Sequence, residues 1–178
     1  MNTKPDTPTR PPPLEREAIT VRHLKPEDLA SVIALDAKVI GRRREHYFRV
    51  KLAQALAETG IKVSLAAEHE GAFAGFLLCR VWYGEFGALE PAAMLDTFGV
   101  HPDFAHHGVA RALLRQLRTN LIGLNIPTLR TEVAWDDQQL LSFFHHVGFQ
   151  PARRLCLDLD LKQARVLDEQ RELERAEP

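Results

Sequence analysis

The sequence predicts an α/β fold, a mixed β-sheet with helices on both faces, from three observations. Strand-like and helix-like segments alternate along most of the chain in the order β, α, α, β, β, β, α, β, α, β. Two strand-like runs, "KVSLAAEHE" and "AFAGFLLCRVWYG", are apolar enough to be covered on both sides. The helix-like segments repeat apolar residues at four-residue spacing, as a helix does when it buries one face.

Taken in order, "AITVRHL" (18–24) alternates apolar and polar residues and reads as a short strand. In "KPEDLASVIALDAKVIG", Pro26, Glu27 and Asp28 suit a first helical turn, and the helix ends near Gly41. A second helix is predicted over "REHYFRVKLAQALAETG", where Phe48, Leu52 and Leu56 share a face and Gly60 stands at the stop. The two apolar runs around Gly71 then form a hairpin. After a loop through Glu90 and Pro91 comes a strand to about Val100, followed by a helix from about Gly108 carrying Leu113, Leu117 and Leu121. "TLRTEVAW" is a strand, "DDQQLLSFFHHVG" a helix capped by Asp136 or Asp137, and "RRLCLDLDL" a final alternating strand.

Length and composition set the frame for function. At 178 residues the chain holds about one domain's worth of core. Residues 1–17 are expected to be a disordered tail, since five of the eleven prolines fall in "MNTKPDTPTRPPP" with almost nothing apolar. Residues 18–161 form the predicted domain, and 162–178 a charged, helical C-terminal tail. A net charge of -1 gives no overall basic field for nucleic acid or an anionic membrane. The uncharged runs are too short for a membrane helix and no apolar signal core is present, so a cytoplasmic location is expected. Cys79 and Cys156 lie far apart without metal or redox spacing and are read as buried free thiols.

The stretch "LDTFGVHPDFAHHGVARALLRQL" runs from strand through a proline turn and a glycine into a helix. A helix start exposes N–H groups with no partner inside the helix and carries roughly half a positive charge, so it suits a phosphate. Neither the GxxxxGK[ST] pattern of nucleoside-triphosphate sites nor the GxGxxG pattern of dinucleotide sites is present. "GVHPDFAHHGVARALL" resembles the signature of the GCN5-related N-acetyltransferases (GNAT family), a V-x-P turn followed by [RQ]-x-x-G-x-[GA] at the start of a helix. "TEVAWDDQQLLSFFHHVGF" resembles that family's second landmark, a strand and a helix ending in an aromatic pair and Gly-Phe.

The resemblance covers roughly residues 18 to 161 and implies a GNAT-like splayed sheet with acetyl-CoA as co-substrate. It implies that Phe98, Gly99 and Val100 offer main-chain bonds to the pantetheine arm. It implies also that the pyrophosphate rests on His106, His107, Gly108, Val109, Ala110 and Arg111. Asp137 stands where the family often has an asparagine near the cofactor, and Phe144 where it often has a tyrosine. Ala105 replaces the usual arginine or glutamine, and His106 and His107 replace glycine, arginine or lysine. An imidazole, with an ordinary pKa of about 6.5, adds positive charge beside a diphosphate as pH falls.

Acetyl transfer to an amine needs a base for the ammonium proton, stabilisation of the oxyanion and a proton for the departing thiolate. Glu132, on the predicted strand with Arg130 and Ala134 on its face, is the first candidate base. It precedes Phe144 by twelve positions, the glutamate-to-tyrosine spacing of family members resembling ribosomal-protein N-acetyltransferases. Asp96 is the second. The competing account of Glu132 is an ion pair with Arg130. Phe144 has no hydroxyl, so the acid is open, with His145, His146, Tyr83 and Tyr47 as stand-ins or the thiolate leaving unaided. His101, His106, His107, His145 and His146 are expected to hold no metal, because adjacent histidines diverge. "GRRREHY" falls where the family's first two helices border the acceptor. The expected partners are therefore acetyl-CoA and an amine acceptor, small molecule or protein N-terminus or lysine, with a homodimer also compatible. The alternative is a catalytically weak acyl-CoA sensor or interaction module.

Overall fold

A computed structural model describes residues 19–57, 61–83, 87 and 89–161, divided into two compact units, Met1–Asp137 and Gln138–Pro178. The expected tails, 1–17 and 162–178, lie outside the described residues, as does the predicted helix stop at Gly60.

The first unit contains one five-stranded sheet in the order β1 to β5: Ile19–His23, Leu65–His69, Ala72–Trp82, Ala92–Val100 and Thr128–Thr131. The first four strands pair antiparallel and β5 runs parallel to β4. The β2–β3 hairpin turns on Glu70 and Gly71, both with positive φ (48° and 79°), the mirror-image turn that matches strand twist. Two helices, α1 (Leu29–Ile40) and α2 (Glu45–Ala57), cover one face. Their Val32, Leu35, Phe48 and Leu52 pack with Phe76 and Leu78 of β3. Gly41, at φ 74°, ends α1 as expected, because a left-handed residue lets the last carbonyls be capped. Helix α3 (Val109–Gly123) covers the other face and buries Leu113, Leu117 and Leu121, the residues of the predicted spacing.

Arg22 ties β1 to the start of α1. Its two terminal nitrogens donate to both Asp28 oxygens at 2.7 and 2.8 Å and its Nε to Glu68 of β2 at 2.7 Å. Beyond the start of β2, the buried Ser64 hydroxyl accepts from the Cys79 N–H at 3.0 Å and donates to the Cys79 carbonyl at 3.1 Å, replacing a strand partner.

In the second unit, α4 (Gln138–His146) ends at Gly148, φ 100°, with the Phe149 N–H donating to the Phe144 carbonyl. The final predicted strand does not form. Residues 153–161 include no strand residue, and Leu155, Leu157, Leu159 and Leu161 are all exposed. An alternating pattern chooses a face, but a strand also requires a neighbouring strand in register, which alternation does not supply.

Candidate active site

The site is built at the end of β4. Strands β4 and β5 pair from Ala92↔Thr128 to Leu95↔Thr131, where the Thr131 hydroxyl donates to the Leu95 carbonyl at 3.0 Å. There β5 stops, while β4 continues to Val100 on β3 alone. The register between β3 and β4 jumps from Cys79↔Leu95 to Leu78↔Thr97, leaving Asp96 as an extra residue. Such a bulge bends a strand and raises its local twist, which explains why β4 leaves β5 at this point. Phe98, Gly99 and Val100 thus lie on the part of β4 that pairs with β3 and runs on past the end of the β4–β5 ladder. A Cβ on Gly99 would stand 2.9 Å from Leu35 of α1 and from Phe76, so only glycine lets that helix lie so close.

From Val100 the chain turns through Pro102–Phe104 and enters α3. His106 (φ 64°) and Gly108 (φ 97°) are both left-handed, and Gly108 is the N-cap of α3. The Ala112 N–H donates to the Gly108 carbonyl at 2.9 Å, while the N–H groups of Gly108, Val109, Ala110 and Arg111 have no main-chain acceptor among the described residues. Four donors thus converge at the positive end of a 15-residue helix. A Cβ on Gly108 would meet nothing within 4 Å, so the approach is open. One ring nitrogen of His107, Nδ1, is buried beside them without a partner. An orphaned polar atom and four orphaned amides fit a diphosphate group, and the missing long side chain at Ala105 takes none of these donors away.

Glu132 is the first residue past β5, not a strand residue as predicted, because the ladder ends at Thr131. Its side chain is exposed and forms no ion pair with Arg130 or any other described residue. Asp96 is committed elsewhere: Lys51 of α2 holds its carboxylate at 2.7 Å. Also from α2, the Tyr47 hydroxyl lies 3.3 Å from the hydroxyl of Thr97, the first residue of β4 past the bulge. Asp137 is exposed at the start of α4, with its N–H donating to Ala134 at 3.0 Å. Phe144 is buried, with its ring against Phe143 and Phe149. Of the three arginines in "GRRREHY", Arg44 pairs with Asp36 at 2.6 Å and covers the Tyr47 ring at 4.7 Å, while Arg42 and Arg43 are exposed.

Sequence reasoning missed the Lys51–Asp96 pair and the two arginines, Arg80 and Arg130, that share a row with Met94 across β3, β4 and β5. The available signal was Arg80 itself, a charge inside an apolar strand. Among the described residues no cluster of three or more His, Cys, Asp or Glu could hold a metal, and no helix is long and apolar enough to cross a membrane.

This architecture is shared with solved proteins. The aminoglycoside N-acetyltransferase AAC(6')-Iy, in complex with CoA, superposes with a TM-score of 0.67 at 15% identity, covering 80% of this chain and 95% of that one. A ribosomal-protein-alanine N-acetyltransferase from Brucella melitensis biovar Abortus 2308 gives 0.66 at 19% identity, covering 81% and 99%. The ribosomal-protein-S18-alanine N-acetyltransferase from Escherichia coli gives 0.62 at 23% identity, covering 75% and 79%. The sequence itself matches the model of the acetyltransferase (GNAT) family over residues 28–149, more than half of its length. With the turn, the helix start and the parted strands all falling inside that match, the chain belongs to the GNAT family of acetyl-CoA-dependent N-acetyltransferases.

Proposed function

We propose that the protein moves the acetyl group of acetyl-CoA onto a primary amine by direct attack. What carries this reading is one juxtaposition: four amides at 108–111, with no main-chain acceptor among the described residues, follow closely on a strand that runs on past the end of its parallel neighbour β5. Acetyl-CoA brings an activated thioester carbonyl, and the chain supplies binding, orientation and proton handling. The amides hold the diphosphate, and Phe98, Gly99 and Val100 align the pantetheine arm along β4.

Glu132 is the base. It stands at the tip of β5 where the strands part, exposed and without a cation on it, so its carboxylate is available to take the ammonium proton directly or through water. Asp96 is a poorer base, because Lys51 already competes for its charge. Tyr47 is the proton donor for the thiolate, since its hydroxyl reaches β4 just past the bulge and Phe144 has none. The acceptor is a small amine or a protein N-terminus or lysine, and the Glu132-to-Phe144 spacing favours a protein.

Thiol release measured with a panel of amines and peptides tests the reading. Glu132→Gln is expected to lower kcat by about 10²- to 10⁴-fold while leaving CoA binding intact. One observation favours a binding module instead, the buried hydroxyl-free ring at Phe144. Tight CoA binding with no turnover on any amine, unchanged in Glu132→Gln, would establish that alternative.

A further inference from the structure

The face of the sheet that α1 and α2 cover carries two cations with no counter-ion among the described residues. Arg80 of β3, Met94 of β4 and Arg130 of β5 are register partners in one row, next to the last row at which β4 and β5 pair. Side chains alternate along strands, so this row shares its face with Phe76 and Leu78, which pack under α1 and α2. With strands about 4.8 Å apart, the two arginine Cα atoms are about 10 Å apart, which two guanidinium arms can bridge. Both side chains are half-buried, and neither joins an ion pair among the described residues. The other half-buried cations near this face, Arg44 and Lys51, are neutralised by Asp36 and Asp96. Arg80 also keeps its Nε buried without a hydrogen-bond partner, while its guanidinium is held over the Trp82 ring at 5.3 Å.

A guanidinium withdrawn from water needs an anion or a full set of acceptors, and its planar fork fits a carboxylate in particular. We infer that Arg80 and Arg130 form an anion-binding subsite beside the acetyl-transfer cleft, selecting amines that carry carboxylates close to the reacting nitrogen. The inference rests on the acetyl-transfer reading and narrows it. Arginines at this row repel a polycation such as an aminoglycoside, so the acceptor is acidic even though aminoglycoside acetyltransferases share the fold.

The test uses the full chain and acetyl-CoA with three peptide amides, Ala-Glu-Glu-Glu, Ala-Gln-Gln-Gln and Ala-Lys-Lys-Lys, and with gamma-aminobutyrate as a small acidic amine. Expected for the parent is a kcat/KM at least about tenfold higher for the acidic peptide than for the neutral one, with the basic peptide lowest. Preference for the peptide over gamma-aminobutyrate identifies a protein acceptor, and the reverse a small molecule. Arg80→Gln and Arg130→Gln should each erase the acidic advantage through KM and leave kcat on the neutral peptide unchanged, with Arg80→Lys restoring part of it. Equal or better use of the basic peptide, or an advantage that survives in the double Gln variant, overturns the subsite. If CoA binds but no peptide is acetylated, calorimetric titration of the same peptides into the CoA complex decides separately. A preference for the acidic peptide then upholds the subsite while acetyl transfer fails, and no preference sinks both.

Discussion

Replacing Ala110 by proline removes a single atom from the proposed diphosphate site, the amide hydrogen of the second residue of α3. That N–H has no main-chain acceptor, and a first-turn position has no bond to lose to the helix itself. The helix already supplies the φ that proline demands. A charge-assisted hydrogen bond to an anion contributes about 1.5–3 kcal/mol. At 1.4 kcal/mol per factor of ten, CoA affinity should fall about 10- to 150-fold. The measurement is calorimetric titration with CoA, accompanied by circular dichroism and a melting curve, because proline also disfavours the helical conformation of Val109 before it. Ala110→Gly is the control. It keeps the N–H but lowers helix propensity by about 1 kcal/mol, so a binding loss caused by fraying would appear there too. An Ala110→Pro protein that keeps its helix and binds CoA within about threefold of the parent would refute the idea that main-chain donors hold the diphosphate.

Three further outcomes concern the scaffold. The hydrogen bonds from Arg22, aided by the Lys25 N–H, hold the Asp28 carboxyl below the usual carboxylate range. A depressed acid contributes stability that is complete above its unfolded pKa of about 3.9 and is lost as pH falls through the lower folded value. Asp28→Asn should therefore cost about 1.5–3 kcal/mol at pH 7, with a smaller difference from the parent at pH 3, read from urea unfolding at both. A Cβ on Gly75 would sit 2.9 Å from the Gly99 carbonyl oxygen and 2.9 Å from Val109. Gly75→Ala should then cost about 1–3 kcal/mol and weaken CoA binding as the start of α3 is pushed away, visible in the same urea and calorimetric experiments. Burial pushes the Cys79 thiol up to about 12, whereas Cys156 is exposed. A disulfide reagent at pH 8 should titrate one thiol per native chain and two only in denaturant.

Local features of the fold were legible in the sequence. The spacing of Leu113, Leu117 and Leu121 predicted the buried stripe of α3, and Gly41 and Gly71 marked a helix end and a hairpin because both need positive φ. Within the proposed cradle at 106–111, the free N–H groups of 108–111 follow from the helix start alone, whatever the side chains. The failures are non-local. "RRLCLDLDL" alternates as well as any strand here, yet its leucines are exposed, because alternation carries no information about whether a partner edge is present. Glu132 was placed inside a strand that stops one residue earlier, since the end of β5 is set by the bend of β4 and not by its own residues. That bend comes from Asp96, whose role as a bulge exists only in its register against Leu78 and Cys79. The Lys51–Asp96 pair and the Arg80–Met94–Arg130 row depend likewise on pairings between distant segments.

The two halves of the cleft are held by different parts of the polypeptide, and they tolerate sequence change differently. Every donor at 108–111 is main chain, so side chains there can vary as long as Gly108 keeps its left-handed turn and α3 its start. Ala105 and His106 fit this reading: the long polar residue usual in the family is gone, and the four amides still have no main-chain acceptor among the described residues. Across the sheet, the proposed acceptor recognition depends on which side chains the β3–β4–β5 register brings into one row and on which charges α2 leaves neutralised. A single substitution at Arg80 or Arg130 changes the charge of that wall without disturbing any main-chain bond. On the proposed reading, proteins sharing this fold can keep one acyl donor while their acceptors diverge, with donor binding carried by the backbone and acceptor choice by a few side chains.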